Sequence, residues 1–369
     1  MDPETINIGY KLFVQKPEHK DKQKAEILGI RLVNDKLEFY IHYIDQNRRL
    51  DEWISYSFLC LDDISTIEIP KKKKKIEEVH KKTTDLNSVD DEKEAVKMKD
   101  EEYKIKNIKK IQFGKYLVEP WYFSPYPKSI TNADVVFICE KCLYYFNNKK
   151  IYSEHIEKCE MCHPPGREIY RNNGLSFFEM DGYTEQKYCR NLALLSKLFL
   201  DHKSLYYDID VFLFYVLCRV DNFGFTIVGY FSKEKISEQG YNLACILTLP
   251  FEQRKGYGRI LMDFSYMLSK KDNLISGPEK PLSDLGLLSY RAYWLDVIVD
   301  YLIENSNSSV DEISKATHIT VEDIISTLTY YNVLKLYKGT FIYALDDKIK
   351  TRAKKFKQKR LNEKYLRYI

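Results

Sequence analysis

At 369 residues the chain is long enough for two or three domains, and its net charge of +4 is modest. Its 30 Tyr and 19 Phe are enough for packed cores, while no uninterrupted apolar run approaches the roughly 20 residues that cross a bilayer. Met1-Asp2-Pro3-Glu4 lacks the basic and apolar regions of a secretory signal, so the reading excludes membrane and secreted classes and expects reduced cysteines in an intracellular compartment.

Residues 5–66 read as a small β domain. Leu37, Phe39, Ile41 and Tyr43 alternate with Glu38, Tyr40 and His42, the period of a half-buried strand, and Asn34-Asp35 before them is a turn signal. The composition then changes abruptly: 24 of the 40 residues from Lys71 to Lys110 are charged and none is Gly or Pro. Such a stretch cannot bury a core, and 71–106 is read as a charged linker. Core-like density returns near Ile108, and 107–369 is expected to be one functional unit.

Within that unit a cysteine cluster comes first. Of the eight Cys, only Cys139, Cys142, Cys159 and Cys162 lie close together, which favours a metal site over a disulfide framework. Cys139-x2-Cys142-x12-His155-x3-Cys159 has structural-zinc spacing: the first pair follows a strand over 135–138, and a helix from Ser153 would turn His155 and Cys159 to one face. Four ligands leave no open position, so the site would be structural. Cys162 and His163 follow closely and could substitute as ligands.

Aromatic and β-branched strands are expected at Phe212 to Val220, Phe225 to Phe231 and Ala244 to Leu249, ahead of a helix from Arg259 to Lys270. Between them lies Gln253-Arg254-Lys255-Gly256-Tyr257-Gly258. Two glycines at a helix start let backbone N–H groups approach a diphosphate, and Arg254 and Lys255 add charge. By itself Gly-x-Gly before a helix is more often simple turn chemistry. Further on, Val310 to Thr317 and Val321 to Tyr331 read as two helices, the second capped by Thr320 with Asp323 three residues on, and Lys338-Gly339 turns into Phe341-Ile342-Tyr343. That order is similar to a winged helix-turn-helix. Eight of the thirteen residues from Lys348 to Arg360 are Lys or Arg, a run that suits nuclear targeting, nucleic-acid contact or merely a solvated end.

The cradle sits in a context that raises its meaning. Tyr241-Asn-Leu-Ala-Cys-Ile-Leu-Thr-Leu-Pro250 precedes it; Gly277-Pro-Glu-Lys-Pro-Leu-Ser-Asp-Leu-Gly286 and Ser289-Tyr-Arg-Ala-Tyr-Trp294 follow it. With the cysteine–histidine pattern, Pro164-Pro165-Gly166, Leu198 to Tyr207 and Val228 to Lys235, these segments closely resemble the MYST family of histone acetyltransferases from about residue 107 to the end. Residues 5–66 resemble that family's chromo barrel (tudor-knot) domain on Phe39 to Trp53. The resemblance implies a mixed, α+β fold: a small N-terminal β-barrel, then a GNAT-like acetyl-CoA-binding α/β core (about 170–300) with a zinc finger (135–163) and a winged-helix-like C-terminal region (305–345).

The resemblance also implies roles. A substrate lysine, with a pKa of about 10.4 in solution, must lose a proton before its nitrogen attacks a thioester, so a base is required. Glu279 matches the family's general base, with Asp284 as the fallback. Cys245 matches the cysteine beside the acetyl group, where a direct route and one through an acyl-cysteine both stand open. Lys203 matches a lysine that becomes autoacetylated. Ile246, Leu247 and Thr248 would offer backbone groups to the acetyl carbonyl and pantetheine, Gln253, Arg254, Lys255, Gly256, Tyr257, Gly258 and Arg259 would hold the diphosphate, and Ser283 would lie near the thiol end. Tyr40, Tyr43 and Trp53 are candidates for a methyl-lysine cage, though barrel core or nucleic-acid contact is the preferred reading. Expected partners are histone tails and nucleosomes, DNA or RNA, and a multiprotein complex built on an enhancer-of-polycomb-type scaffold; the expected compartment is the nucleus. The rival reading is a chromatin-binding adaptor whose acetyltransferase fold no longer turns over.

Overall fold

The computed structural model describes residues 5–16, 21–61, 64–70, 105–201, 208–222, 224–337 and 340–367. The charged segment read as a linker lies, from 71 to 104, outside the described residues, and so does Lys203. The chain forms two compact units. The first runs to Phe137 and takes in Tyr145–Lys149 and the stretch from Leu194; the second holds Ile138–Tyr144, Lys150–Ala193 and the chain from residue 208 onward.

In the first unit β1 (Lys11–Val14), β2 (Gln23–Val33), β3 (Lys36–Tyr43), β4 (Glu52–Ser55) and β5 (Leu59–Cys60) form an antiparallel sheet in the order β4-β3-β2-β1-β5. It wraps Leu12, Val14, Ala25, Ile27, Phe39, Ile41 and Ile54 into one small core, and among the described residues β4 and β5 are not paired. The expected barrel is therefore a curled half-barrel. Asn34 and Asp35 take φ of 48° and 58° at the β2–β3 turn, the left-handed pair that a two-residue hairpin needs and that Asn and Asp tolerate. The alternation on β3 is as read, except that Tyr40 is buried as well as Phe39, Ile41 and Tyr43. Its ring packs 5.3 Å from that of Trp53, whose own face carries the Arg31 guanidinium at 4.1 Å. Tyr40, Tyr43 and Trp53 thus make no open cage. A second small sheet follows, β6 (Ile111–Phe113), β7 (Tyr116–Val118), β8 (Val136–Ile138) and β9 (Tyr145–Phe146) in the order β7-β6-β8-β9, with the one-turn helix α1 (Lys128–Thr131) between β7 and β8.

The second unit holds nearly all of α2 (Lys149–Lys158) and is organised by a sheet of consecutive antiparallel strands, β10 (Arg167–Asn172), β11 (Leu175–Asp181), β12 (Phe212–Asp221), β13 (Gly224–Glu234) and β14 (Cys245–Thr248). Helix α3 (Gln186–Lys197) joins β11 to the stretch before β12. After β14 comes α4 (Tyr257–Lys271), which lays Leu261, Phe264 and Leu268 on the sheet. Phe264 stacks on Phe177 with centroids 3.7 Å apart and meets Tyr170, Tyr215 and Phe231 edge-on or tilted. Gly229 on β13 has no room for a side chain: a Cβ there would lie 2.5 Å from the Leu247 carbonyl oxygen, so glycine lets β14 close on β13.

A second core surrounds α5 (Asp284–Glu304), where Tyr290, Tyr293, Trp294 and Ile298 meet Ile313 of α6 (Val310–Thr317) and Ile324 and Leu328 of α7 (Val321–Tyr330). Both expected helices of the C-terminal pair are present. Ser309 and Glu312 cap α6 reciprocally and Thr320 caps α7, followed by the hairpin β15 (Leu334–Tyr337) and β16 (Thr340–Tyr343). Helix α7 carries no Lys or Arg, and its first turn holds Glu322 and Asp323, an acidic start poorly suited to reading a DNA groove. The basic run forms α8 (Asp347–Lys357), with Ala353 and Phe356 buried in the core around α5. It is a packed element, neither a free tail nor a solvated end. No helix among the described residues is long and apolar enough to cross a membrane.

Candidate active site and metal centre

The metal ligand candidates converge as the spacing required. Between β8 and β9 the chain doubles back, Leu143 N donating to Cys139 O and Cys139 N to Tyr144 O, both at 2.9 Å, with Leu143 at φ 60°. Cys139 and Cys142 project from this knuckle. His155 comes from α2, which starts four residues earlier than expected, and Cys159 from the residue just past its end. The four donor atoms lie within 4.8 Å of one another, with Cys139 Sγ 3.9 Å from Cys159 Sγ and Cys142 Sγ 3.3 Å from His155 Nε2. Crowding shows in the thiols: the hydrogen bond from Cys142 pulls Cys139 well below its ordinary pKa, and the same contact pushes Cys142 up. Three sulfurs and one imidazole in a closed group fit a structural, four-coordinate zinc, held for its stabilising effect and with no position left for a substrate. Cys162 and His163 do not join them. The His163 ring stacks on Phe178 at 5.3 Å with its Nδ1 2.7 Å from Pro164 O, and Cys162 is exposed.

The candidate reaction centre lies along the edge strand of the five-stranded sheet. β14 pairs only with β13 among the described residues, so one row of peptide groups from Cys245 to Thr248 faces no strand. Beside its start the chain returns in parallel: Leu243 bridges Pro278, and Glu279 N donates to Leu243 O at 2.8 Å. The loop bearing Glu279 is thereby fixed two residues from Cys245. Burial raises the Glu279 pKa above the ordinary glutamate value, and the neighbouring carboxylate of Glu234 adds to the rise. Glu279 itself keeps contact with solvent, and Cys245 is half-buried.

At the other end of β14, Gln253 Nε2 donates to Thr248 O at 3.2 Å and so ties the cradle to the edge strand. Arg254 and Gly256 both take positive φ, 62° and 93°, and Gly256 is the N-cap of α4 with no side chain capping the helix. The first-turn N–H groups therefore lack the usual side-chain acceptor, and this is an anion-binding arrangement. Gly258 has an ordinary helical φ, and a Cβ there would meet only Thr248 Oγ1 at 3.5 Å; close approach, not backbone strain, is its contribution. Next to the cradle is a cavity of about 780 Å3 lined by Lys255, Gly256, Arg259 and, from α8 and the residues after it, Lys348, Arg352, Lys355 and Lys359.

Two buried carboxylates, Asp296 and Glu252, hold three of these cations, and a third, Asp263, holds Arg360 just after them in the chain. Asp296 of α5, 1 % exposed, receives Arg259 Nη1 and Arg352 Nε, each at 2.7 Å. Asp263 of α4 receives Arg360 Nε at 3.0 Å and the Leu361 N–H at 2.9 Å. Glu252, fully buried, takes Lys255 Nζ at 2.8 Å and faces Arg219 at 3.6 Å. None of these acids stood out from the sequence, although a single Asp inside the apolar run Tyr293 to Val299 was a usable signal. Ser283 caps α5 by accepting from Gly286 N at 3.2 Å, and Asp284 is exposed in the first turn of that helix.

A sheet edge leading into a cation-lined cradle, with a carboxylate of raised pKa at the strand's start and a closed Cys3His group nearby in sequence, defines a CoA-dependent acyltransferase with a structural metal module. The chain matches the MOZ/SAS family over residues 163–367, the MYST family zinc finger domain over 105–159, and the domain described as the RNA binding activity-knot of a chromodomain over 6–60. It is 44 % identical to a Candida glabrata protein named histone acetyltransferase ESA1, across 97 % of this chain and 90 % of that one. It is 43 % identical to the Saccharomyces cerevisiae protein of the same name (96 % and 90 % covered) and 39 % identical to Schizosaccharomyces pombe histone acetyltransferase mst1 (97 % and 91 %). The chain belongs to the MOZ/SAS, or MYST, acetyltransferase family, whose acyl donor is acetyl-CoA.

Proposed function

We propose that this protein is a nuclear lysine acetyltransferase acting on nucleosomal histones, with Glu279 as general base. The observation that carries this reading is the continuity of the site: Glu279 and Cys245 at one end of a free sheet edge, the cradle and the cationic cavity at the other. Acetyl-CoA supplies the activated acyl group. The edge-strand peptide groups of Ile246, Leu247 and Thr248 would receive the extended pantetheine arm, and Gln253 through Arg259 the diphosphate. The cations of α8 extend the phosphate site, an assignment that composition alone had left between DNA contact and solubility. Ser283 caps α5 at the thiol end of this path.

Glu279 takes the proton of the incoming lysine ammonium, leaving a neutral amine that attacks the acetyl carbon; the C–S bond then breaks and coenzyme A leaves as its thiolate, which takes up the proton that the new amide nitrogen loses. A raised pKa suits that task, because a base too acidic holds a proton poorly at neutral pH. Direct attack is the reading favoured for this chain, with Cys245 packing against the acetyl group. Acetylation of Lys203, contact of residues 6–60 with RNA, DNA or histone tails, and assembly on an enhancer-of-polycomb-type scaffold belong to the same proposal. The inactive-adaptor alternative is not favoured, since the relatives this chain matches over nearly its full length are named histone acetyltransferases. Purified protein incubated with acetyl-CoA and nucleosomes should yield acetyl-lysine on histone tails by mass spectrometry. Nucleosome binding without any acetyl transfer between about pH 7 and 9 would sink the proposal in favour of the adaptor.

A further inference from the structure

The loop carrying Glu279 is laced on two sides. On one side lies the approach to β14: Asn242 N donates to Gly277 O at 2.9 Å and Glu279 N to Leu243 O at 2.8 Å. The other side is the turn between α6 and α7. Ser276 N donates to His318 O at 3.1 Å, His318 Nδ1 lies 3.0 Å from Leu274 O, and Lys280 Nζ sits 2.9 Å from Asp323 Oδ1 and 3.3 Å from Glu322 Oε2. Asp323 is buried, and its Oδ2 accepts the Thr320 hydroxyl at 2.8 Å. Among the described ion pairs Lys280 is its one cationic partner. An exposed pair such as Lys280–Glu322 contributes little, whereas a buried carboxylate left without its cation carries a large desolvation penalty. The second contact therefore fixes where Lys280 sits, and with it the adjoining residue.

We propose that the Lys280–Asp323 ion pair is a positioning device for acetyl transfer, pinning the Glu279 loop to the turn between the two C-terminal helices. The helix pair that has the order of a DNA-reading motif then acts as a brace for the catalytic loop. This explains why α7 opens with Glu322 and Asp323 where a DNA reader would carry cations. The inference rests on Glu279 being the base. Lys280 touches neither substrate in this account and acts only through its neighbour, where a shift of about 1 Å can cost on the order of 100-fold in rate.

The test uses the full chain with Asp323→Asn, Lys280→Met, Lys280→Arg and Glu279→Gln, each measured for kcat, for KM of acetyl-CoA and by thermal melting. Asp323→Asn and Lys280→Met should lower kcat roughly 10- to 100-fold with KM for acetyl-CoA within about 2-fold of wild type, and Lys280→Arg, which reaches the same carboxylate, should keep most of kcat. Should Asp323→Asn fail to fold, Lys280→Met decides, because its side chain is 35 % exposed. A Lys280→Met kcat within about 2-fold of wild type overturns the brace, as does an equal loss in Lys280→Arg. If Glu279→Gln is silent while Lys280→Met is fully active, only the brace fails; if Glu279→Gln is fully active, the base assignment fails with it.

Discussion

Glu279 combines two conditions that a general base for lysine needs, and they come from different parts of the chain. Its backbone is fixed by Leu243, and its pKa is raised by partial burial and then by Glu234 on β13. The carboxylate must be ionised to accept a proton, so activity is lost as pH falls through its pKa, and raising that pKa moves the acidic limb to higher pH. Replacing Glu234 by Gln removes the like charge while leaving the burial, so the limb of the pH profile should move to lower pH. A limb that stays in place or moves up would show that Glu234 does not act on the base. Cys245 lends itself to a separate check: Cys245→Ala should retain turnover at saturating histone, and loss of all turnover would establish an obligatory acyl-cysteine. Spacing brought the four metal-site residues forward, whereas Glu279 and Cys245 were brought forward by resemblance to family motifs, each within a short continuous segment. Lys280 and Asp323 each lie in such a segment, but the segments are 43 residues apart and only folding pairs them.

The elements contribute through packing and charge placement. Helix α4 depends on Phe264, buried among four rings, and Phe264→Ala should cost about 3–5 kcal/mol in stability by denaturant unfolding. A much smaller loss would mean that the sheet collapses into the space. Helix α8 was the element least open to sequence reading. Eight cations in thirteen residues describe a solvated end as well as the proposed ligand wall, and what favours the wall is Ala353 and Phe356, which anchor one face, and Asp296, which pairs with Arg352 and Arg259. Lys348→Ala with Lys355→Ala should raise KM for acetyl-CoA roughly 3- to 10-fold at nearly constant kcat, the pattern of an interaction made equally in ground and transition states. An unchanged KM would return α8 to the nucleic-acid reading. The C-terminal helices were open to sequence reading for a local reason: Thr320 with Asp323 and the apolar stripe of Ile324 and Leu328 are signals within one helical turn or two. The half-barrel was partly hidden, since the alternation of β3 gives its buried face but not that β4 and β5 stay unpaired among the described residues.

For the whole molecule the metal centre and the reaction are separable. Cys139, Cys142, His155 and Cys159 form a closed set, so elemental analysis should find one zinc per chain, and chelation should lower thermal stability before it alters KM. A folded, metal-free protein with unchanged stability would contradict the structural role. The central claim is that this chain transfers acetyl groups to histone lysines with Glu279 as the base. It is tested most directly by single-turnover acetylation of nucleosomes by the wild-type chain and by Glu279→Gln at saturating acetyl-CoA. The account predicts rapid acetyl transfer by the wild type and a rate lower by about 100-fold or more in the variant, with acetyl-CoA affinity retained. Equal rates in the two proteins would contradict it.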